Sequence, residues 1–541
     1  MDYQSAYEQF DINAATQQVF GELGHTTNVA YLACDRHCGR DALALRWRCQ
    51  HGERQDFSFE DLKRRSEQMA LALQAQGVKS GDCVAALLPR IPELLVTFLA
   101  TMRLGAIYQP LFTAFGPKAI EHRVNTSGAR VIISDSANRP KLEGLEQGRT
   151  LITVVAKDAE LPAGDIDFQT MIGAHTGSVE LVQRDIDDPF LIMFTSGTTG
   201  PAKAVYVPIR GLVSLDVYMR LAVDLRPDDA YWNIADPGWA YGLWFAVTAP
   251  LVMGHATTFY DGPFTVDSTL ALIKNDGITN LAGAPTAYRL LVAAGPEAVA
   301  PIKGQLRAVS SAGEPLNPEV IRWFAEHLSV RINDHYGQTE MGMSLCNHHA
   351  LDHEILPGAA GFSVPGYRVA VVDNELNELP PGQSGTLAID LARSPLFWFK
   401  GYAGMETKSL GDRYYLSGDT VERNANGSIS FVGRDDDVIT SAGYRIGPFD
   451  VESALVEHPA VVESAVIGKP DPERTEIVKA FVVLQKGYEA GSELESELRQ
   501  FVKTRLSAHA YPREIEFVEE LPKTPSGKIQ RFILRNQERA G

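Results

Sequence analysis

Phe194-Thr195-Ser196-Gly197-Thr198-Thr199-Gly200-Pro201-Ala202-Lys203 follows directly on the apolar run Phe190-Leu191-Ile192-Met193. A short uncharged run of this kind reads as a buried strand, so the hydroxyls and glycines fall in a loop at its carboxyl end, where open α/β sheets hold ligands. Thr195, Ser196, Thr198 and Thr199 supply hydroxyl donors, while Gly197 and Gly200 let the backbone approach an anion with no Cβ in the way. Lys203 adds a mobile positive charge. The pattern points to a polyphosphate guest. It is not the common P-loop, because Lys203 follows Gly200 by three positions and Ala204 stands where a magnesium-binding hydroxyl is needed. An ordinary polar turn is the bland alternative, and the partners downstream decide between the two.

Working outward, Val84 to Leu88 reads as a buried strand, and Pro92 opens a helix to about Arg103 whose apolar face is Leu94, Leu95, Phe98, Leu99 and Met102. Pro117 to Thr126 reads as a further helix and Val131 to Ile133 as the next strand. This alternation predicts an α/β fold: a large N-terminal domain of stacked, mostly parallel sheets with helices. The charged stretch from Gly433 to Asp437 reads as a linker. Beyond it lies a small α+β unit with a helix near Phe449 to Glu457 and strands in Val461 to Ile467 and Lys479 to Leu484. The expected boundaries are 1–433, a hinge at 434–437, and 438–541.

Five further stretches carry chemistry. Val309 to Pro315 contains Ala312, Gly313 and Glu314, and Asn333 to Gly342 contains Asp334, His335, Tyr336, Gly337, Gln338, Thr339 and Glu340. Both follow short apolar runs; Tyr336 suits stacking on a base and Glu340 suits a magnesium ion or its water. In Leu416-Ser417-Gly418-Asp419 the carboxylate can accept both hydroxyls of a ribose, although Asp and Gly also make plain turns. The turn Asp236 to Gly242 carries Trp239, Ala240 and Tyr241, which suit the wall of an apolar pocket or simple core packing. The closing loop Leu521 to Ile529 presents Lys528 between stiffening prolines and a glycine.

The chain has 541 residues with a net charge of -18, which disfavours nucleic acid or an anionic membrane as a partner. Local cations must therefore serve any phosphate. No stretch reads as a membrane span or a secretory signal, and the five cysteines suit a reducing compartment, so a cytoplasmic location is expected. Cys34, Cys38 and Cys49 with His37 and His51 lack a matching second ligand pair. Cys346, His348, His349 and His353 lack a ligand rhythm, so zinc is the lesser reading at both places.

Taken in order, these motifs resemble the acyl-adenylate-forming superfamily, which contains acyl-CoA synthetases, luciferases and the adenylation domains of peptide synthetases. The resemblance runs from about Val84 to Ile529. It implies that a carboxylate attacks the α-phosphate of ATP to give acyl-AMP and pyrophosphate. A mobile C-terminal domain then turns, and the thiol of coenzyme A takes the acyl group. Carried over, Thr195 to Lys203 hold the β- and γ-phosphates, and Gly313, Glu314 and Pro315 with Asp334 to Thr339 frame adenine and the α-phosphate. Glu340 binds Mg²⁺, Asp419 and Arg434 bind the ribose, and Asp436 is the hinge. Lys528, with Lys203, Thr339 and Glu340, serves the chemical step. A positive charge at 4 Å from the reacting phosphate is worth about 4 kcal/mol at an effective dielectric near 20. The resemblance also implies that Ser441, Ala442, Gly443, Tyr444 and Arg445 line the coenzyme A tunnel, with Lys503 or Arg505 at its phosphates, and that Lys528 is a target for lysine acylation and deacylation enzymes.

The N-terminal phrase from Cys34 to Trp47 is most similar to acetyl-, propionyl- and medium-chain synthetases. Two-carbon enzymes carry a tryptophan in place of Gly337 and valines in place of Ala240 and Ala312, so the acyl pocket of Trp239, Ala240, Tyr241, Ala312 and Gly337 is expected to be deeper. Each added methylene gains about 0.8 kcal/mol, which favours an acid of about four to eight carbons. An acetyl/propionyl-CoA synthetase and an aromatic acid-CoA ligase are the neighbouring readings. A non-catalytic nucleotide-binding protein is the alternative of another class, and it would not need Lys528, Asp419 and Glu340 together. In this reading Gly337→Trp is expected to shift preference toward acetate or propionate.

Overall fold

The computed structural model describes residues 1–21, 27–39, 41–195, 202–434, 437–441, 444–472, 474–506, 510–524 and 528–540, without the side chains of 444, 445, 539 and 540. Strands among these residues form four sheets, of seven, ten, three and five strands. In the seven-stranded sheet Cys83–Leu87 pairs in parallel with Ile107–Pro110 and Val131–Asp135, and Ile107–Pro110 leads on to Pro189–Phe194. Both faces of this sheet are covered, so its central strand has no polar side. Val84 and Ala86 face one apolar cluster with Leu95 and Phe98; Cys83, Ala85 and Leu87 face another with Ile120 and Val124. The helices Pro92–Arg103 and Pro117–Ser127 lie where the apolar spacing predicts them.

The ten-stranded sheet corrects one expectation. Tyr231–Asn233, Asn280–Gly283, Ala308–Ala312 and Ile332–Gln338 run parallel, but every later pairing in it is antiparallel. Two of these pairings are tight hairpins, Ile332–Gln338 with Gly342–Cys346 and Tyr414–Arg423 with Ile429–Arg434, whose turns are too short for the crossover of a dozen residues or more that a parallel neighbour needs. The parallel part is backed by the helices Val266–Asn275, Pro285–Ala294 and Pro318–His327, whose Leu272, Leu291 and Phe324 pack on Leu281, Val309 and Ile332.

The N-terminal segment is stitched to distant chain. Leu43–Cys49 pairs with Thr257–Asp261, Asp2 bridges Asp352, and the hydroxyls of Tyr3 and Tyr7 donate to the carbonyls of Ser363 and Tyr367 at 2.9 and 3.0 Å. The small C-terminal domain is built on the long antiparallel pair Val461–Asp471 and Thr475–Leu484, with the helices Pro448–Val456, Ser492–Arg505 and Arg531–Ala540. It meets the large domain through Asn317 Nδ2, which donates to Ser453 Oγ at 3.0 Å, and through Arg322, 3.2 Å from Glu457. Gly447 makes the close approach possible, since a Cβ there would stand 2.4 Å from the carbonyl oxygen of Val432. Among the described residues no helix is long and apolar enough to cross a membrane.

Candidate active site

The carboxyl ends of the parallel strands of both large sheets converge with the loop that carries Lys528. The strand Pro189–Phe194 ends at Thr195, whose N–H donates to the Lys203 carbonyl at 3.0 Å, and the chain returns antiparallel through Ala204–Pro208. The neck of the loop is thereby closed. Ser196, Gly197, Thr198, Thr199 and Gly200 lie outside the described residues.

In the ten-stranded sheet Ala312 is in register with His335, so the loop Gly313 to Pro315 and the segment Tyr336 to Glu340 leave the sheet side by side. Tyr336 O–H donates to Asp419 Oδ2 at 2.5 Å. Gln338 Nε2 donates to the same oxygen at 2.9 Å, and Tyr415 O–H fixes Gln338 by donating to its Oε1 at 2.8 Å. Asp419 also faces Arg434 across the antiparallel ladder. A base-stacking role for Tyr336 must therefore work with its hydroxyl tied to the carboxylate. Asp334 is buried, its Oδ1 has no hydrogen-bond partner, and burial pushes its pKa well up. Glu314 accepts from Arg289 Nη2 at 3.1 Å.

Lys528 sits on a tight turn in which its N–H donates to Thr524 Oγ1 at 3.1 Å and Thr524 N–H donates back to its carbonyl at 2.7 Å. The residue is exposed at the surface yet faces a crowded cleft that holds its pKa below the ordinary lysine value. Glu314 opposes that shift, Arg434 adds to it and Asp419 opposes it. Glu314, Asp419 and Arg434, from separate stretches, are thus each within electrostatic reach of Lys528.

Thr339 occupies the turn between Gln338 and Glu340. Glu340 is buried, which raises its pKa, and accepts from Tyr402 O–H at 2.7 Å; the Lys203 charge pulls the pKa the other way. A carboxylate so placed, with one neutral donor, suits a divalent cation shared with phosphate oxygens. Among the described residues no cluster of three or more His, Cys, Asp or Glu makes a site by itself. The histidines of the sequence-level zinc alternative bond elsewhere: His348 Nδ1 to the Cys346 carbonyl, His349 Nε2 to the Val309 carbonyl, and His353 Nε2 to the His348 N–H.

The acyl-pocket residues divide. Tyr241, Ala240 and Ala312 belong to one apolar cluster, where Tyr241 meets Phe245 at 5.5 Å and Tyr218 O–H bonds His335 Nδ1 at 2.8 Å. Trp239 packs instead on Phe112 and Phe115, at 5.5 and 5.2 Å. Gly337 departs from its expected role as open space in the pocket. A Cβ there would stand 2.1 Å from the Gly342 carbonyl oxygen, because a bulge brings the two strands of the hairpin together. Gly337→Trp would therefore require the two strands of the hairpin to shift, so it does not probe chain length alone.

Of the coenzyme A segment, Ser441 is buried, Ala442 and Gly443 lie outside the described residues, and Tyr444 and Arg445 are described in backbone only. Lys503 lies over the Tyr511 ring at 5.5 Å, and Arg505 is bound to Glu457. Arg474, which the sequence reading passed over, is the cation at Ser441, its Nε 3.4 Å from the hydroxyl. Asp436 lies outside the described residues; its neighbour Asp437 is held by Arg531 and Arg535 of the last helix.

Residues 32–403 match the model of the AMP-binding enzyme family, and residues 450–528 match that of the AMP-binding enzyme C-terminal domain. The chain is 37% identical over 559 residues to acetyl-coenzyme A synthetase of Bacillus subtilis, covering 99% of this chain and 95% of that one. It is 36% identical over 505 residues to the mitochondrial acyl-coenzyme A synthetase ACSM4 of Rattus norvegicus, covering 92% and 86%. Among solved structures, the acyl-CoA synthetase of Brucella canis superposes with a TM-score of 0.81 at 54% identity, covering 100% of this chain and 99% of that one.

Proposed function

The chain belongs to the AMP-binding enzyme family and is an AMP-forming acyl-CoA synthetase using ATP, Mg²⁺ and coenzyme A; from that premise we propose that its acid is a short- to medium-chain carboxylate of about four to eight carbons. The observation that supports the site assignment is that Tyr336 and Gln338 both donate to Asp419 Oδ2, with Arg434 opposite Asp419 in the ladder and the Lys528 charge within electrostatic reach. In the first step the carboxylate oxygen attacks the α-phosphorus and the bond to pyrophosphate breaks. Two anions must come together, so positioning and positive charge do most of the work. Lys528 supplies charge at the α-phosphate, Thr195 to Lys203 hold the β- and γ-phosphates, and Asp419 with Arg434 holds the ribose. Glu340, buried and bound by one neutral donor, would hold Mg²⁺, which when bound would supply positive charge to the phosphate oxygens.

In the second step the coenzyme A sulfur attacks the acyl carbonyl, its thiol proton passes to solvent, and AMP leaves. The hinge at 434–437 lets the C-terminal domain bring the Ser441 to Arg445 segment, with Arg474, to the acyl-AMP. Alanines at 240 and 312, where the family resemblance puts valines in two-carbon enzymes, support an acid longer than acetate. The acetate reading draws on the Bacillus relative, and the two separate in one experiment. A panel from acetate to octanoate plus benzoate is assayed for coenzyme A- and ATP-dependent AMP release. The reading expects the highest kcat/KM between butyrate and octanoate; a maximum at acetate or benzoate contradicts it. Lys528 is in addition a candidate for acylation, which mass spectrometry of the native protein would detect.

A further inference from the structure

Tyr402 touches two of the groups assigned to the nucleotide. Its hydroxyl donates to Glu340 Oε1 at 2.7 Å, and the Lys203 ammonium lies 4.6 Å from the centre of its ring. The ring is fixed by contacts independent of both. Its own N–H donates to Thr407 Oγ1 at 2.8 Å, and the ring meets Phe399 edge-on at 5.1 Å. The next residue, Ala403, donates its N–H to the Ala204 carbonyl at 3.0 Å, one position beyond Lys203. The segment is therefore docked by its backbone on the strand that leaves the phosphate loop.

This arrangement solves an electrostatic problem. A lysine and a buried glutamate in one site attract, and a direct ion pair would use up the cation meant for phosphate and the carboxylate meant for metal. Among the described residues Lys203 and Glu340 make no such pair. The ring holds the ammonium against its negative face, as aromatic rings do, and satisfies the carboxylate with a neutral donor at its edge.

We propose that Tyr402 is a positioning residue that holds Lys203 by its face and Glu340 by its hydroxyl, and keeps these opposite charges from closing on each other. Each is then free to meet its own part of the magnesium nucleotide. The proposal rests on the assignment of Lys203 to phosphate and Glu340 to metal given above.

The test uses the full-length protein, a non-hydrolysable imido analogue of ATP, and Mn²⁺ as a paramagnetic stand-in for Mg²⁺. Wild type, Tyr402→Phe, Tyr402→Leu and Glu340→Gln are compared by two equilibrium readouts: Mn²⁺ bound in the ternary complex, from its electron paramagnetic resonance signal, and affinity for the analogue without metal. Tyr402→Phe keeps the ring and removes one oxygen. It is expected to weaken Mn²⁺ binding about tenfold, as loss of a supporting hydrogen bond to a metal ligand does, with metal-free nucleotide affinity unchanged. Tyr402→Leu should lose in addition about two- to fivefold in metal-free nucleotide affinity, the range of an aromatic–cation contact.

Tyr402→Phe binding Mn²⁺ like wild type, while Glu340→Gln binds it weakly, would overturn the proposal and leave the reading of Glu340 intact. Glu340→Gln binding like wild type would instead remove Glu340 from the metal and the proposal with it. Equal metal-free affinity in both tyrosine variants would overturn the part played by the ring face. Should Tyr402→Leu not fold, Tyr402→Phe alone decides the metal arm, and Tyr402→Met, another side chain without a ring, decides the other: it should show the same two- to fivefold loss of metal-free affinity, and wild-type affinity would overturn the role of the ring face.

Discussion

Lys528 is an exposed residue whose surroundings are nevertheless electrostatic, with Glu314, Arg434 and Asp419 all acting on it. Its charge matters only while phosphorus is under attack. Lys528→Ala is therefore expected to slow acyl-AMP formation by about a hundredfold or more, well within the roughly 4 kcal/mol of one close charge. Thioester formation from preformed acyl-AMP should stay within a few-fold of wild type in the same preparation. Equal loss in the two half-reactions, measured by pyrophosphate release and by consumption of synthetic acyl-AMP, would contradict the assignment. Chain length is best probed where a side chain has somewhere to go. Ala312 belongs to the large apolar cluster that Ala240 and Tyr241 pack against, and valine at both alanines adds four methyl groups where the proposed acyl chain lies. Ala240→Val/Ala312→Val should lower kcat/KM for hexanoate relative to propionate by about tenfold or more at about 0.8 kcal/mol per carbon. An unchanged ratio would place the acyl chain elsewhere.

At the scale of elements, the closing helix Arg531–Ala540 begins just after the Lys528 turn, and its first residue grips two carboxylates. Arg531 Nη2 lies 2.7 Å from Glu452 Oε2 and its Nη1 lies 3.7 Å from Asp437, which Arg535 also binds. Arg531→Ala would strand a buried Glu452 and is expected to cost about 3 kcal/mol in urea unfolding of the C-terminal domain. Adenylation should suffer with it, since the lysine loop loses its footing; a loss under about 0.5 kcal/mol would mean the pair is solvated and of little consequence. The elements that carry the site were legible because hydroxyl- and glycine-rich loops follow short apolar strands, a pattern local in the chain. Tyr402 was not: Gly401-Tyr402 reads as a plain turn, and its partners Lys203 and Glu340 lie far away in sequence. Gly337 is ambiguous in sequence for a related reason. A missing side chain says that space is tight or that space is open, and only the hairpin with Gly342 tells which. The antiparallel half of the ten-stranded sheet was likewise hidden, because alternation along a strand does not reveal its neighbour's direction.

The whole molecule carries a built-in acid sensitivity. Burial lowers the pKa of His335 to about 3 and of His37 and His349 to about 4, and lowers those of His348 and His255 as well. These rings are neutral in the fold and take up protons near pH 6.5 once unfolded. Stability from them is therefore complete above about pH 6.5 and is lost as pH falls toward about 4, by about 1.4 kcal/mol per histidine per pH unit. The buried carboxyls of Asp334 and Glu340, whose values are raised, act in the opposite sense and soften the fall. Tm should drop steeply between pH 6.5 and 4.5, and a flat profile over that range would contradict the burial of these rings. The long reach of the N-terminal segment has a consequence for biosynthesis. Tyr3 finds its carbonyl partner 360 residues further on, so at about 5 to 20 residues per second translation leaves that end undocked for roughly 20 to 70 seconds. The strand Leu43–Cys49 waits about 210 residues, roughly 10 to 40 seconds at the same rate, for Thr257–Asp261, and until then one of its edges is bare, which makes it a ready target for a holdase at the ribosome exit or, failing that, for another nascent copy.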